Sequence, residues 1–223
     1  MKILFLGTGA ADWTKADIDN PEYRRNASAL IDEKLLIDPG PCVPEAIEKF
    51  NVDVKKIEYV IITHLHGDHY NEQTLEFLRQ NGAKLIEFNG KETKKAGNYE
   101  ITALVGNHSI PVKHYIISDG EKKLFYGLDS AWLMYDEVRE IKKNGIDFAV
   151  FDATVGFSEG DFRLFEHNDL RMVIEMKATL NEYIKRFCIS HMARTLHSGH
   201  RELEEKMKEY NIETAFDGLE TEI

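Results

Sequence analysis

Cysteine is scarce in this chain. Only Cys42 and Cys188 occur, and neither stands in a CxxC pair. Two isolated thiols make no disulfide framework and suit a reducing compartment, so a cytoplasmic protein is expected. Proline is nearly as rare, at five residues, and no linker, repeat or low-complexity stretch interrupts the chain. One domain over residues 1–223 is the expected organisation. No apolar run approaches the ~20 residues of a bilayer span, so no membrane partner is expected. The N-terminal apolar run ends at Gly7 and is too short for a signal-peptide core. A basic excess is also missing: 28 Lys and Arg face 39 Asp and Glu, for a net charge of −11. Such a chain repels phosphate backbones globally, so no extended nucleic-acid surface is expected.

What is present is a mixture of strand-like and helix-like runs. Lys2–Leu6, Ala27–Asp32 and Lys34–Asp38 read as strands, the last two joined as a hairpin through Glu33. The β-branched run Ile57–Thr63 marks a buried central strand. Further strands are expected at Lys84–Phe88, Tyr99–Val105, His114–Ser118, Lys123–Gly127, Asp147–Asp152 and Arg186–Ser190, and Glu213–Phe216 and Glu220–Ile223 close the chain. Helices are expected at Val43–Phe50, Gln73–Asn81, Ala131–Lys143, Leu170–Ile184 (N-capped by Asn168) and Gly199–Tyr210. Strands dominate the first third, and strands and helices then alternate. An α/β fold of two sheets between helix layers satisfies that order better than one doubly wound sheet.

Nine histidines occur, and three fall in Thr63-His64-Leu65-His66-Gly67-Asp68-His69, directly after the buried strand. In extended chain His64 and His66 share a face. Gly67 permits a turn that redirects Asp68 and His69. Imidazole nitrogens and a carboxylate so arranged suit Zn, Mn or Fe. His108, His191 and Asp129 each follow an apolar strand, where a polar side chain is either structural or a ligand. Asp152 is the rival of Asp129 as a bridging carboxylate.

The His-x-His-x-Asp-His segment resembles the signature of the metallo-β-lactamase superfamily. Gly7-Thr8-Gly9, Leu36-Ile37-Asp38-Pro39-Gly40 and Asp217-Gly218 extend the resemblance along the chain. It implies a four-layer αββα sandwich and two divalent metal ions. His64, His66 and His108 would hold one ion, Asp68, His69 and His191 the other, and Asp129 would bridge them. The resemblance is strongest to the phosphodiesterase branch, which groups tRNA 3′-processing endonucleases with the phosphoribosyl cyclic phosphate phosphodiesterase of phosphonate utilisation. Its carriers are Tyr23-Arg24-Arg25, Asn107-His108-Ser109, Asp129, His167-Asn168-Asp169-Leu170, Ser190-His191 and Phe216-Asp217-Gly218. The cyclic phosphodiesterase also carries a structural zinc on cysteines, for which residues 10–22 of this chain offer none.

A dinuclear hydrolase acting on a small-molecule phosphate ester follows from this resemblance. Two cations about 3.5–4 Å apart acidify a shared water. His167 is the candidate general acid, with Asp68 and Asp129 as further catalytic residues. Arg194 and His197 are candidate substrate-phosphate contacts, since a guanidinium pairs well with phosphate oxygens. The alternatives are a lactone or thioester hydrolase on the same metals, a tRNA 3′-processing endonuclease-like nuclease, and a metal-binding module with little turnover. His114 is expected to be structural.

Overall fold

Short aliphatic strands build the N-terminal sheet of the chain. The computed structural model describes residues 1–223 and forms two compact units, Met1–Glu87 with Phe216–Glu222, and Phe88–Ala215. The first unit holds β1 (Lys2–Gly7), β2 (Ser28–Ile31), β3 (Leu35–Ile37), β4 (Tyr59–Ile61) and β5 (Lys84–Leu85), with a last strand, β13 (Glu220–Glu222). They form a six-stranded sheet in the order β13-β1-β2-β3-β4-β5. The β1, β2 and β3 pairings are antiparallel, and β3, β4 and β5 run parallel. Helices α1 (Val43–Lys49) and α2 (Glu72–Gln80) connect the parallel strands. Their apolar faces (Val43, Ala46, Ile47, Leu75 and Leu78) pack on Leu6, Leu30, Leu36 and Val60. Each of the Val, Leu and Ile side chains contributes roughly 1.5–3 kcal/mol on burial. Because β3 and β4 are parallel neighbours, Asp38 and Thr63 emerge at the same sheet edge, the carboxyl ends where α/β proteins place their sites.

The second unit is a seven-stranded sheet in the order β12-β11-β10-β9-β8-β7-β6. Its strands are β6 (Glu92–Ala96), β7 (Tyr99–Val105), β8 (Lys113–Ser118), β9 (Lys123–Gly127), β10 (Ile146–Asp152), β11 (Ile184–Ser190) and β12 (Ile212–Thr214). An antiparallel meander, β6 to β9, passes into the parallel set β9 to β12. Helices α3 (Tyr135–Asn144), α4 (Leu170–Leu180) and α5 (His200–Lys208) are the crossovers. Ile141, Val173, Met176, Leu180, Leu203 and Met207 from these helices pack with Phe125, Phe151 and Phe187 of the strands. Two antiparallel steps separate β7 from β9, so β7, β9, β10 and β11 all point the same way. His108, Asp129, Asp152 and His191 therefore lie at one edge.

Among the differences from the sequence expectation, three have clear physical reasons. Helix α3 starts at Tyr135 rather than Ala131, because Asp129 and Trp132 hold positive φ (56° and 60°) in a tight turn. The N-cap of α4 is Asp169, whose carboxylate accepts from Met172 N. Asn168 is engaged elsewhere, its carbonyl Oδ1 accepting from Trp132 N at 2.7 Å. Strand β6, Glu-Thr-Lys-Lys-Ala, escaped the pattern reading because an edge strand carries lysines in place of apolar alternation. No helix is long and apolar enough to cross a membrane.

Candidate functional site

In the first unit one buried carboxylate organises the histidine motif. Asp38 is fully buried with φ of 63°, a conformation non-glycine residues adopt at a cost of order 1–3 kcal/mol. Its Oδ1 accepts from Thr63 N (2.7 Å), and its Oδ2 accepts from His69 Nδ1 (2.8 Å). The Thr63 hydroxyl donates to Asp38 (2.8 Å) and stands 3.0 Å from His64 Nδ1, placed to accept its proton. Asp38 thus turns His69 directly and His64 through Thr63, leaving the Nε2 lone pair of each ring for another partner. Such outer bonds fix the tautomer of a metal-binding histidine. Burial pushes the Asp38 carboxyl upward, while His69 and Thr63 pull it back. His64 Nε2 and His66 Nδ1 are 3.0 Å apart. That is close to the spacing of two nitrogens each about 2.0–2.1 Å from one tetrahedral ion. Asp68 Oδ2 lies 3.3 Å from His69 Nε2. Gly40 makes room for this loop, since a Cβ there would stand 2.2 Å from the Asp68 carbonyl oxygen.

The second unit repeats the logic with different groups. His108 Nδ1 donates to the Glu166 carbonyl (3.0 Å), and His191 Nδ1 donates to the Thr154 hydroxyl (2.8 Å). Both rings again present Nε2. Between them sits Asp129, its Oδ1 3.9 Å from His108 Nε2 and its Oδ2 3.4 Å from His191 Nε2. These gaps exceed a hydrogen bond, and each carboxylate oxygen faces a different histidine. Asp129 and His191 hold φ of 56° and 64°, a second place where strain gathers at polar residues.

Asp152 has a different role from the bridging one considered for it. Its Oδ1 accepts from Thr154 N (2.9 Å) and Asn168 N (3.1 Å). Its Oδ2 accepts from Asp129 N (3.0 Å), His167 Nδ1 (2.9 Å) and the Thr154 hydroxyl (3.1 Å). Protein donors occupy both oxygens. Burial opposes its charge, but the His167 and His191 imidazoles outweigh that and hold its carboxyl below the usual carboxylate range. Burial likewise draws the His167 imidazole down, and Asp152 more than reverses it, so its pKa is raised. His167 stacks at 5.5 Å on His191 and meets His108 edge-on at 5.0 Å.

Among the remaining candidates, Arg194 is exposed. His197 is half-buried and donates from Nε2 to the Ala153 carbonyl at 2.6 Å, so that atom anchors the loop. Sequence reasoning missed the two threonines, Thr63 and Thr154, which orient His64 and His191. Their one signal is position, since each follows the C-terminal end of a buried parallel strand. The donor sets fit metal ions: histidines with Nδ1 engaged and Nε2 presented, and acidic oxygens beside them. In the second unit, Asp129, Asp152, His167 and His191 bring one potential ligand atom each within 4.8 Å of one another.

The family Anti-Pycsar protein Apyc1 matches residues 1–80. A ribonuclease Z from Methanocaldococcus jannaschii is 31% identical over 158 residues, a match covering 55% of this chain and 49% of that protein. The match thus spans about half the length of that relative. A diphosphatase of the PhnP family shares the fold with a TM-score of 0.76 at 18% identity, covering 100% of this chain and 97% of its own. The metallo-β-lactamase fold protein YhfI from Bacillus subtilis does so with a TM-score of 0.78 at 18% identity, covering 99% and 98%. The ribonuclease Z relative overturns the expectation that an acidic chain has no extended nucleic-acid surface. Net charge is a sum over the whole chain, whereas contact with a phosphate backbone depends on the charges local to one face. The fold of this chain is the metallo-β-lactamase fold.

Proposed function

We propose that this chain is a metal-dependent hydrolase, specifically a phosphodiesterase. The observation that carries the reading is Asp129, whose two oxygens face the Nε2 atoms of two histidines already turned by their Nδ1 bonds. In this reading His64, His66, Asp68 and His69 of the first unit are metal ligands, as are His108, Asp129 and His191 of the second, and the ions are divalent, Zn or Mn. When bound, such ions supply Lewis acidity toward a phosphoryl oxygen and make water a stronger nucleophile.

The protein's own contribution is proton handling. Asp152 accepts from His167 Nδ1 and stabilises the charged ring, so Nε2 carries the proton that the leaving oxygen needs. Asn168 N and Thr154 N hold Asp152 in place, which keeps the ring from turning. Burial lowers the imidazole pKa, but Asp152 outweighs it and the net shift is upward, which favours the proton on the ring. Arg194 would meet the non-bridging phosphate oxygens.

The substrate is a small cyclic or diester phosphate in the first reading. The ribonuclease Z relative favours a second, cleavage at an RNA 3′ end. One experiment separates them. Metal content and hydrolysis of bis(p-nitrophenyl) phosphate, an alkyl diester with a poor leaving group, and a precursor tRNA are measured for wild type, His167→Ala and Asp129→Ala. Diester hydrolysis abolished in Asp129→Ala supports the phosphodiesterase reading. His167→Ala should lower the alkyl diester rate about 10²–10⁴-fold and spare the activated one. Cleavage of the tRNA alone supports the second reading. A wild type with two ions per chain and no activity on any diester refutes both and points to lactones and thioesters.

A further inference from the structure

His114 lies outside the set above, near the start of β8 in the second unit's sheet, and its surroundings do not resemble those of a packing residue. The side chains of His114 and Glu137 are both fully buried. His114 Nδ1 is 2.5 Å from Glu137 Oε1, and His114 Nε2 is 3.0 Å from the Leu128 carbonyl oxygen. The Leu128 carbonyl can only accept, so Nε2 donates to it. Burial opposes charge on the ring, but the adjacent Glu137 carboxylate outweighs it and raises the imidazole pKa, which favours an imidazolium–carboxylate pair in the core.

The place of this pair is as specific as its protonation. A Cβ on Gly106 would stand 2.7 Å from His114 Cε1 and Nε2, and one on Gly127 would stand 3.2 Å from Nδ1. The ring is thus cradled by two glycines, one leading into Asn107-His108 and the other into Leu128-Asp129. Above it the two loops are tied to each other. Asn107 N donates to Ser130 Oγ (3.0 Å), Asn107 Nδ2 donates to the Ala131 carbonyl (2.8 Å), and Ala131 N donates to the Asn107 carbonyl (3.1 Å). Glu137 in turn accepts from Met134 N (2.7 Å) at the start of α3, which fixes the carboxylate to the helix that follows the Asp129 turn.

We propose that the buried His114–Glu137 pair is a positioning device that holds the Leu128–Asp129 turn and the Asn107–His108 loop in register, so that Asp129 and His108 meet as metal ligands. The inference rests on the reading of those two residues as ligands. A pair kept for packing alone would be replaceable, because a buried ion pair exchanged for apolar side chains of similar size leaves stability nearly unchanged or raised. A positioning pair would not be replaceable in function, since it holds the strained Asp129 backbone through the Leu128 carbonyl.

The test is Zn²⁺ titration against a competing chelating dye, with metal content and metal-free thermal melting, for wild type and the double variant His114→Phe/Glu137→Met. The expected result is a metal-free melting temperature close to wild type, with Zn²⁺ affinity weakened about 10–100-fold, the range for loss of an outer-shell partner. Unchanged Zn²⁺ affinity in the folded double variant overturns the inference and leaves the metal reading intact. A wild type that takes up no Zn²⁺ overturns the metal reading and the inference with it. If the double variant fails to fold, Glu137→Gln decides. It keeps the bond from Met134 N and a neutral hydrogen bond to His114, and should weaken Zn²⁺ binding by a smaller factor. Unchanged affinity there overturns the inference.

Discussion

Replacing Asp152 by Asn tests the central hydrogen-bond account most directly. The carboxylate accepts five bonds, two at Oδ1 from backbone N–H groups and three at Oδ2. An amide offers one acceptor oxygen and one NH₂. If the NH₂ takes the Oδ1 place, Thr154 N and Asn168 N lose their acceptor. If it takes the Oδ2 place, Asp129 N loses its acceptor, the Thr154 hydroxyl must turn, and His167 must move its proton to Nε2 and accept at Nδ1. The first orientation strands two buried donors and the second strands one. Each stranded donor costs about 1–3 kcal/mol, so the variant should lose about 1–6 kcal/mol. At roughly 2–4 °C per kcal/mol for a chain of this size, the metal-free melting temperature should fall by about 2–24 °C. Calorimetric or far-UV melting in the presence of chelator measures it. A fall below about 2 °C would refute the account, because it would mean that water or rearrangement satisfies donors that the fold is supposed to seal from solvent.

Other outcomes follow from the same contacts. Thr63→Val removes the hydroxyl that relays Asp38 to His64, and Zn²⁺ affinity by dye competition should weaken about 10–100-fold. Gly40→Ala places a methyl against the Asp68 carbonyl oxygen, and denaturant titration should show a loss of about 1–3 kcal/mol, with weaker metal uptake. The His114 pKa is raised above its ordinary 6.5, since the Glu137 charge outweighs the opposing effect of burial. A raised histidine stabilises fully below its unfolded value and loses that contribution as pH rises through the folded one. The stability of wild type relative to His114→Phe/Glu137→Met should therefore decline as pH is raised above 6.5. A difference that is flat or grows over that range would contradict the charged pair.

Much of the fold was legible because its signals are local. The run Ile57–Thr63 is too apolar for an edge strand, and β4 is an interior strand, though it lies one place in from the edge strand β5 rather than at the centre and is hydrogen-bonded only at Tyr59–Ile61. The stripe Val173, Met176 and Leu180 faces the core of its unit, but Ile184 belongs to β11, because the turn after Leu180 ends the helix. Strand β6 was illegible since pairing alone, not apolar content, makes it a strand. Expectations drawn from whole-chain charge failed where the relative is a ribonuclease, because a sum carries no position.

For the site, the sequence by itself determined the donor types, the spacing in His64-Leu65-His66-Gly67-Asp68-His69, and the placement of polar residues after apolar strands. Those properties reside in chemistry and in one-dimensional order. Only the tertiary structure decided which carboxylate presents its oxygens and which is saturated. Asp129 and Asp152 both end apolar strands and are alike in sequence. They differ because the backbone N–H groups of Thr154, Asn168 and Asp129 converge on Asp152 alone. The tautomers of His64, His69, His108 and His191 were decided the same way, by acceptors from distant segments or neighbouring turns. A hydrogen bond requires two groups within about 3 Å, and only the folded chain brings residues such as Asp38 and His69 that close.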